Sequence, residues 1–406
     1  MSFATEASKS RLDSIESDGE ETETAVELSV VLPCLNEAET VGRCVEKARG
    51  SMEKHDIAGE VIVADNGSDD GSVEAAESAG ARVVHIAQRG YGAAIQGGVD
   101  EARGDFVVMA DADDSYALDE VHDFFEKLEE GCDFVMGNRF QGEIESEAMP
   151  ILHRYVGNPV LSLIGRLFYG SDIGDFHCGM RGFRRDAYES LDVRSTGMEF
   201  ASELVVKAEL AGLRIEEIPT TLSPDGRSGD PHLNTWKDGW RHLRFLLLYS
   251  PTWLFLVPGV TMMGVGLLFM GWLYLGEFTV GAVSFTGVHS MMYAALAIMI
   301  GFQTVWFGLF TKNFAVNEGL LPEDKVVERL LEHFSLEGGL AIGGLLASLG
   351  LVGGFYAIAL WRDHAFGSLD PANTFEVVIP SFLAMAIGVQ IVFSSFFLSV
   401  LQLKHR

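Results

Sequence analysis

The chain has 406 residues, too many for one ordinary domain and enough for two or three. Its 58 Asp and Glu against 29 Lys and Arg give a formal net charge of −29, which argues against nucleic acid or anionic lipid as the general partner. Acid in this excess reads as a surface solvated for high salt, hence a halophilic source.

Residues 1–27 are polar and acidic, with no apolar run after Lys9 and Arg11. No signal peptide is expected there, only a disordered tail. From Leu28 short apolar runs alternate with segments of helical spacing. Leu28–Leu32 predicts a strand and Thr40–Ser51 a helix. Glu60–Ala64 and Ser72–Ala79 follow as strand and helix, then Ala81–Ile86 and Gly92–Ala102. Asp105–Ala110 predicts a fourth strand, Leu118–Glu129 a helix, and a fifth strand begins at Phe134–Met136. Apolar strands alternating with helices imply an α/β domain with a mainly parallel sheet, which binds ligands at the carboxyl ends of its strands.

The second half reads differently. Residues 253–275, 288–310, 338–361 and 377–401 contain no Asp, Glu, Lys or Arg, and each has the roughly 20 residues that cross a bilayer core. Arg241, Arg244, Lys312, Lys325, Arg329, Lys404 and Arg406 fall on one side of these spans and only Arg362 on the other. The soluble part, the 311–337 loop and the C-terminus are therefore expected on the cytoplasmic face of the cell membrane. Within that loop Val326–Leu336 is amphipathic. Two further stretches, Leu152–Tyr169 and Asn234–Tyr249, mix apolar or aromatic residues with cations and look interfacial; a core helix is the alternative, favoured for Leu152–Tyr169. The expected organisation is a tail over 1–27, a soluble domain over 28–233, an interfacial helix over 234–250 and a membrane domain over 251–406. Cys34, Cys44, Cys132 and Cys178 form no CxxC pair, so reduced thiols are expected, with Cys34 a small core residue.

The chemistry concentrates after the strands. The fourth runs into Asp111-Ala112-Asp113, two carboxylates whose hard oxygens suit Mg²⁺ or Mn²⁺ together with a diphosphate. The first runs into Pro33-Cys34-Leu35-Asn36-Glu37. The second runs into Asp65-Asn66-Gly67-Ser68-Asp69-Asp70-Gly71-Ser72, where Asp69 or Ser72 can cap the next helix but Asp65, at the strand end, is not placed as a cap. Arg89-Gly90-Tyr91-Gly92 after the third strand is a tight turn or a ligand loop, and is not a full dinucleotide fingerprint because Ile95 takes the last glycine position.

Together LPCLNE, ADNGSDDGS and DAD resemble the nucleotide-sugar site of inverting family 2 glycosyltransferases with the GT-A fold, over roughly Leu28 to Ser250. The resemblance implies that Pro33 and Glu37 contact base and ribose, that Asp65 contacts the base, and that Asp111 and Asp113 hold metal and diphosphate. VMGNRF (Val135–Phe140), DFHCGMRGFR (Asp175–Arg184) and the spans after Ser250 narrow it to dolichol-phosphate mannose or glucose synthases. No Q-x-x-R-W signature of processive polysaccharide synthases is present. Arg139, Arg154 and Arg181 then fall where such enzymes keep arginines near the lipid phosphate, and Arg227 in the Asp225–Pro231 loop is a further acceptor contact; Asp113, Arg139 and Arg181 are the expected catalytic set. The implied reaction moves a hexose from UDP-glucose or GDP-mannose to polyprenyl phosphate with inversion. Two alternatives stay open: a hydroxyl acceptor, with Asp175 or Glu203 as base, and a non-catalytic membrane scaffold. Homo-oligomerisation stays open too.

Overall fold

The computed structural model describes residues 25–226, 235–275, 278–280, 283–285, 287–322, 329 and 335–402. They fall into two compact units, one comprising residues up to Leu163 with Asp172–Asp238, the other Ile164–Ser171 with the chain from Gly239. The acidic tail, apart from residues 25–27, and most of Val326–Leu336 lie outside the described residues.

In the first unit β1 (Leu28–Cys34), α1 (Val41–Lys54), β2 (Gly59–Asp65), α2 (Ser72–Ser78), β3 (Arg82–His85), α3 (Tyr91–Asp100), β4 (Phe106–Met109), α4 (Val121–Glu129) and β5 (Phe134–Asn138) follow in the predicted alternation. After β5 come α5 (Asn158–Tyr169), β6 (Arg181–Arg184), α6 (Arg185–Ser190), α7 (Phe200–Leu210) and β7 (Ile215–Pro219). The seven strands form one sheet in the order β3-β2-β1-β4-β6-β5-β7. Only β6 is antiparallel to its neighbours, β4 and β5. Val30, Val31, Leu32, Val63, Val107, Val108 and Val135 are all buried, the continuous apolar pattern of strands covered on both faces. α1 presents Val41, Cys44, Val45, Ala48, Ser51 and Met52 to this core, spaced as one helical face. β1 has β2 on one side and β4 on the other; the chain steps outward from β1 to β3 and then crosses back to β4 on its far side. The crevice beyond the carboxyl ends of β1 and β4 is thus the switch point at which open α/β sheets bind ligands.

The segment read as a core helix is not one. A π-helical turn over His153–Gly157 leads into α5, and Ile151, Leu152, Tyr155, Val156, Val160 and Leu163 are all exposed, Ile151 at 79%. Their spacing puts them on one face. The expectation failed because amphipathic periodicity says that a face is apolar, not what covers it.

The second unit holds α8 (Thr235–Leu248) from Gly239 onward, α9 (Val257–Leu275), β8 (Phe278–Val280) paired with β9 (Val283–Phe285), α10 (Gly287–Asn317), α11 (Leu336–Asp363) and α12 (Pro371–Gln402). Four helical stretches, Thr252–Leu275, Val288–Asn317, Leu336–Asp363 and Thr374–Leu401, are long and apolar enough to span a bilayer. Leu268, Leu275, Phe355 and Phe393 stand exposed on them, as lipid-facing side chains do. Their contacts run through small residues: a Cβ on Gly343 would meet Gly388 O at 2.7 Å, and one on Gly301 would meet Gly259 O at 2.6 Å. Glycine is what lets these backbones approach so closely. On α8, Trp240 and Leu248 are exposed while Phe245 and Leu246 are buried.

Candidate active site

The loops after β1 and β2 are stitched into one edge. Asn36, at φ 59°, donates from its N–H to Ser68 Oγ at 3.0 Å and accepts from Asp69 N–H at 2.9 Å. Glu37 N–H donates to Ser72 Oγ at 2.8 Å, and Ala38 N–H to Asp70 at 3.0 Å. Pro33 sits within β1 opposite Ala64. Glu37 is buried, its carboxylate accepting from Thr40 Oγ1 at 3.2 Å.

Asp65 behaves differently from its expected placement, because it does cap a turn. Its carboxylate accepts from Gly67 N–H at 3.2 Å, from Ser68 N–H at 3.0 Å and from His85 Nδ1 at 3.1 Å. Burial pushes this carboxyl up, but the Ser68, His85 and Gly67 donors outweigh it and hold it below the usual range. Neither Asp69 nor Ser72 caps α2. Asp70 serves there, accepting from Ser72 N–H at 3.0 Å, with Gly71 at φ 94° as the residue that enters the helix.

The turn after β3 is a built feature as well. Asn66 accepts from Gly90 N–H at 2.7 Å and donates to the carbonyls of Ile86 and Gln88. Gly90 has φ 137°, and a Cβ there would lie 2.1 Å from Thr196 O, so only glycine fits. Tyr91, the next residue, donates its hydroxyl to Asp111 Oδ1 at 3.0 Å. Burial and the Asp111 charge push the Tyr91 hydroxyl well above its ordinary range, which keeps it a donor.

Asp111 and Asp113 are both partly exposed, on either side of buried Ala112. Asp113 Oδ1 accepts from Ser115 N–H at 3.1 Å and from Ser115 Oγ at 2.6 Å, and its backbone carbonyl accepts from Gly226 N–H at 2.9 Å. Asp114 turns away: at φ 65° it pairs with Lys47 at 2.7 Å and Arg43 at 3.1 Å. Among the described residues no group of three or more His, Cys, Asp and Glu is arranged to hold a metal ion. Two half-exposed hard carboxylates at the ligand edge fit a cation that keeps several waters and takes its remaining ligands from substrate phosphates, as Mg²⁺ does.

The expected arginines occupy three different environments. Arg139 is buried and grips Asp175 as a fork, Nε to Oδ2 at 2.7 Å and Nη2 to Oδ1 at 2.8 Å. Glu217 on β7 fixes this corner from below, accepting from Gly174 N–H and Asp175 N–H at 2.9 and 3.0 Å. Arg181 is fully buried, donating to the carbonyls of Cys178 at 2.8 Å, Ala201 at 2.5 Å and Phe176 at 3.2 Å. This geometry makes it the tie between the 176–178 turn and α7, not a contact for an acceptor phosphate, and we correct the expected role. Arg154 is partly exposed and makes no ion pair among the described residues; its guanidinium stands 5.8 Å from the Tyr155 ring centroid. Arg227 lies outside the described residues.

Four residues carry parts of this site to which the sequence assigned no role of their own: Asn66 and Tyr91, inside loops already singled out, and Tyr116 and Glu217, outside them. Tyr116 Oη accepts from Gly179 N–H at 2.7 Å, and a Cβ on Gly179 would meet Asp111 Oδ2 at 2.7 Å, so the 175–184 segment is packed directly on Asp111. Cys34 is a buried thiol, pushed up to about 11 by burial first of all, and so belongs to the core.

Residues 29–192 match the glycosyl transferase family 2 domain, and residues 309–402 match the glycosyltransferase family 2 C-terminal transmembrane region. The low-salt glycan biosynthesis hexosyltransferase Agl6 of Haloferax volcanii is 38% identical over 382 residues, 94% of this chain and 90% of that relative. The chain belongs to the family 2 glycosyltransferases. Glycosyltransferase AglJ of the same organism is 30% identical over 292 residues, 70% of this chain and 91% of its own. A dolichyl-phosphate hexose transferase, also from Haloferax volcanii, is 28% identical over 214 residues, 52% of this chain and 89% of its own. The chain is thus a multi-pass membrane glycosyltransferase, with a GT-A-type sheet in its first unit.

Proposed function

We propose that this glycosyltransferase moves a hexose from UDP-glucose or GDP-mannose onto the phosphate of a polyprenyl or dolichyl phosphate. The observation that carries this reading is the state of the two carboxylates that would otherwise activate a hydroxyl. Asp175 is fully buried and accepts Nε, Nη2 and backbone N–H of Arg139. Glu203 is also buried, accepting from Arg194 N–H, Ser195 N–H and Lys207 Nζ. Neither is placed to take a proton from a substrate. A phosphate acceptor is already anionic at neutral pH and needs no base. The exposed apolar face around Arg154, on a chain with four spans, suits a lipid carrying such a phosphate, and the guanidinium suits the phosphate itself.

The donor lies along the edge made by Pro33, Glu37, Asp65, Asp111 and Asp113. Asp111 and Asp113 would hold Mg²⁺ or Mn²⁺, which would neutralise the departing diphosphate. The protein's work is orientation and charge stabilisation. An oxygen of the lipid phosphate attacks the anomeric carbon as its bond to the nucleoside diphosphate breaks, and the configuration inverts. The basic residues flanking the spans support a cytoplasmic position for the transferase domain. Phosphorus and proton NMR of the lipid product test the reading. A β-linked phosphodiester from an α-linked donor is expected; a glycoside of a hydroxyl, or a retained α configuration, refutes it.

A further inference from the structure

Tyr91 is the point where two separately built parts of the first unit converge on Asp111. Its hydroxyl donates to Asp111 Oδ1 at 3.0 Å. Its backbone is held on both sides, since a Cβ on Gly90 would lie 2.1 Å from Thr196 O and one on Gly92 would lie 2.4 Å from Ser195 O. Ala93 N–H donates to Thr196 O at 3.1 Å, and Gln96 Nε2 to Ser195 O at 2.8 Å. That 194–196 segment is in turn fastened by Glu203, which accepts from Ser195 N–H at 2.7 Å and Arg194 N–H at 3.1 Å. Glu203 itself is anchored by Lys207 at 2.9 Å. On the opposite side, the Gly179 backbone closes on Asp111 Oδ2 and on the Tyr116 ring.

From this arrangement we infer that Tyr91 is a positioning residue: its hydroxyl sets the orientation in which Asp111 meets the divalent cation of the donor complex. The inference rests on the reading of Asp111 and Asp113 as the metal pair. A carboxylate that binds a metal through one oxygen is oriented by what holds the other, and loss of such a partner costs about 10- to 100-fold in metal affinity. Tyr91 touches neither sugar nor lipid in this account. Its effect passes through Asp111 alone.

The test is Mn²⁺ binding by the full-length protein in detergent, read by electron paramagnetic resonance of free Mn²⁺, with UDP and with GDP in parallel. Tyr91→Phe removes one oxygen and keeps the ring. It should weaken Mn²⁺ by about 10-fold or more and raise the metal concentration for half-maximal transfer, with kcat at saturating metal much less affected. In an Asp111→Asn background the same change should cause no further loss. Unchanged Mn²⁺ affinity in Tyr91→Phe, or full additivity with Asp111→Asn, overturns the inference while leaving the metal pair standing. A wild-type protein that binds no Mn²⁺ with either nucleotide sinks the metal pair and the inference with it. Should Tyr91→Phe fail to fold, 3-fluorotyrosine at position 91 gives a second reading. Its fluorine resonance should shift on adding Mg²⁺ and UDP or GDP, and an unmoved resonance overturns the inference.

Discussion

Replacing Arg139 with methionine separates two roles that its position allows. Arg139 and Asp175 are a bidentate pair, 8% and 0% exposed. Burial pulls the pKa of such an arginine down, but Tyr116 and the Asp175 carboxylate hold it well above the usual value. Arg139→Met strands Asp175 in the core, and breaking a buried pair from one side costs about 3–5 kcal/mol. Across a unit of this size that lowers the unfolding midpoint by about 10 °C. Arg139→Met combined with Asp175→Leu removes both charges and should recover most of the loss, since apolar replacement of a whole buried pair is often neutral. Thermal unfolding in detergent measures stability, and transfer of labelled sugar into lipid measures turnover on the same samples. If Arg139 only supports the corner, the double variant regains turnover with stability. If it also meets the acceptor phosphate, stability returns and turnover does not. A single variant less than about 1 kcal/mol down would refute the account of the pair.

Asp113→Ala should lower turnover at least about a hundredfold with folding intact, because a metal ligand stabilises the departing charge by several kcal/mol; near-normal turnover removes Asp113 from the site. Arg154→Ala should raise KM for polyprenyl phosphate several-fold with the donor KM unchanged, and Arg154→Lys should recover only part. Glu203 is pushed up by burial but pulled further down by Ser195, Lys207 and Arg194, so its folded pKa lies below the ordinary 4.5. Its stabilisation is therefore complete above about pH 4.5 and lost as pH falls through the lower folded value. The stability gap between wild type and Glu203→Gln should narrow in acid, and a gap that widens there contradicts the assignment. Activity should rise with KCl, as screening relieves the −29 charge; an optimum in dilute buffer argues against a high-salt protein.

Much of the fold could be read from residues 28–138, because parallel strands buried on both faces leave continuous apolar runs such as SVVL and FVVM. The aspartate pair was legible for the same reason: a buried strand pointed to the edge where it ends. β6 was not, since its four residues, Arg-Gly-Phe-Arg, begin with two that carry no strand signal. Arg181 looks like a ligand in sequence because a charge is normally solvated. Its burial is tolerable only through three carbonyls supplied by distant backbone, which no local pattern records. Asp65, whose strand-end position did not read as a cap, caps amides that belong to its own turn. The Tyr91–Asp111 contact joins residues twenty positions apart through a turn whose shape depends on Thr196.

The most direct test offers purified protein radiolabelled UDP-glucose and GDP-mannose separately, in high salt with Mg²⁺ or Mn²⁺. Each reaction is run with polyprenyl phosphate, with the matching polyprenol, and with no acceptor, and label is followed into the organic phase. The account predicts transfer from one donor, only with the phosphorylated lipid, and none after chelation. Equal transfer to polyprenol, or no transfer from either donor by a protein that still binds nucleotide, would contradict it.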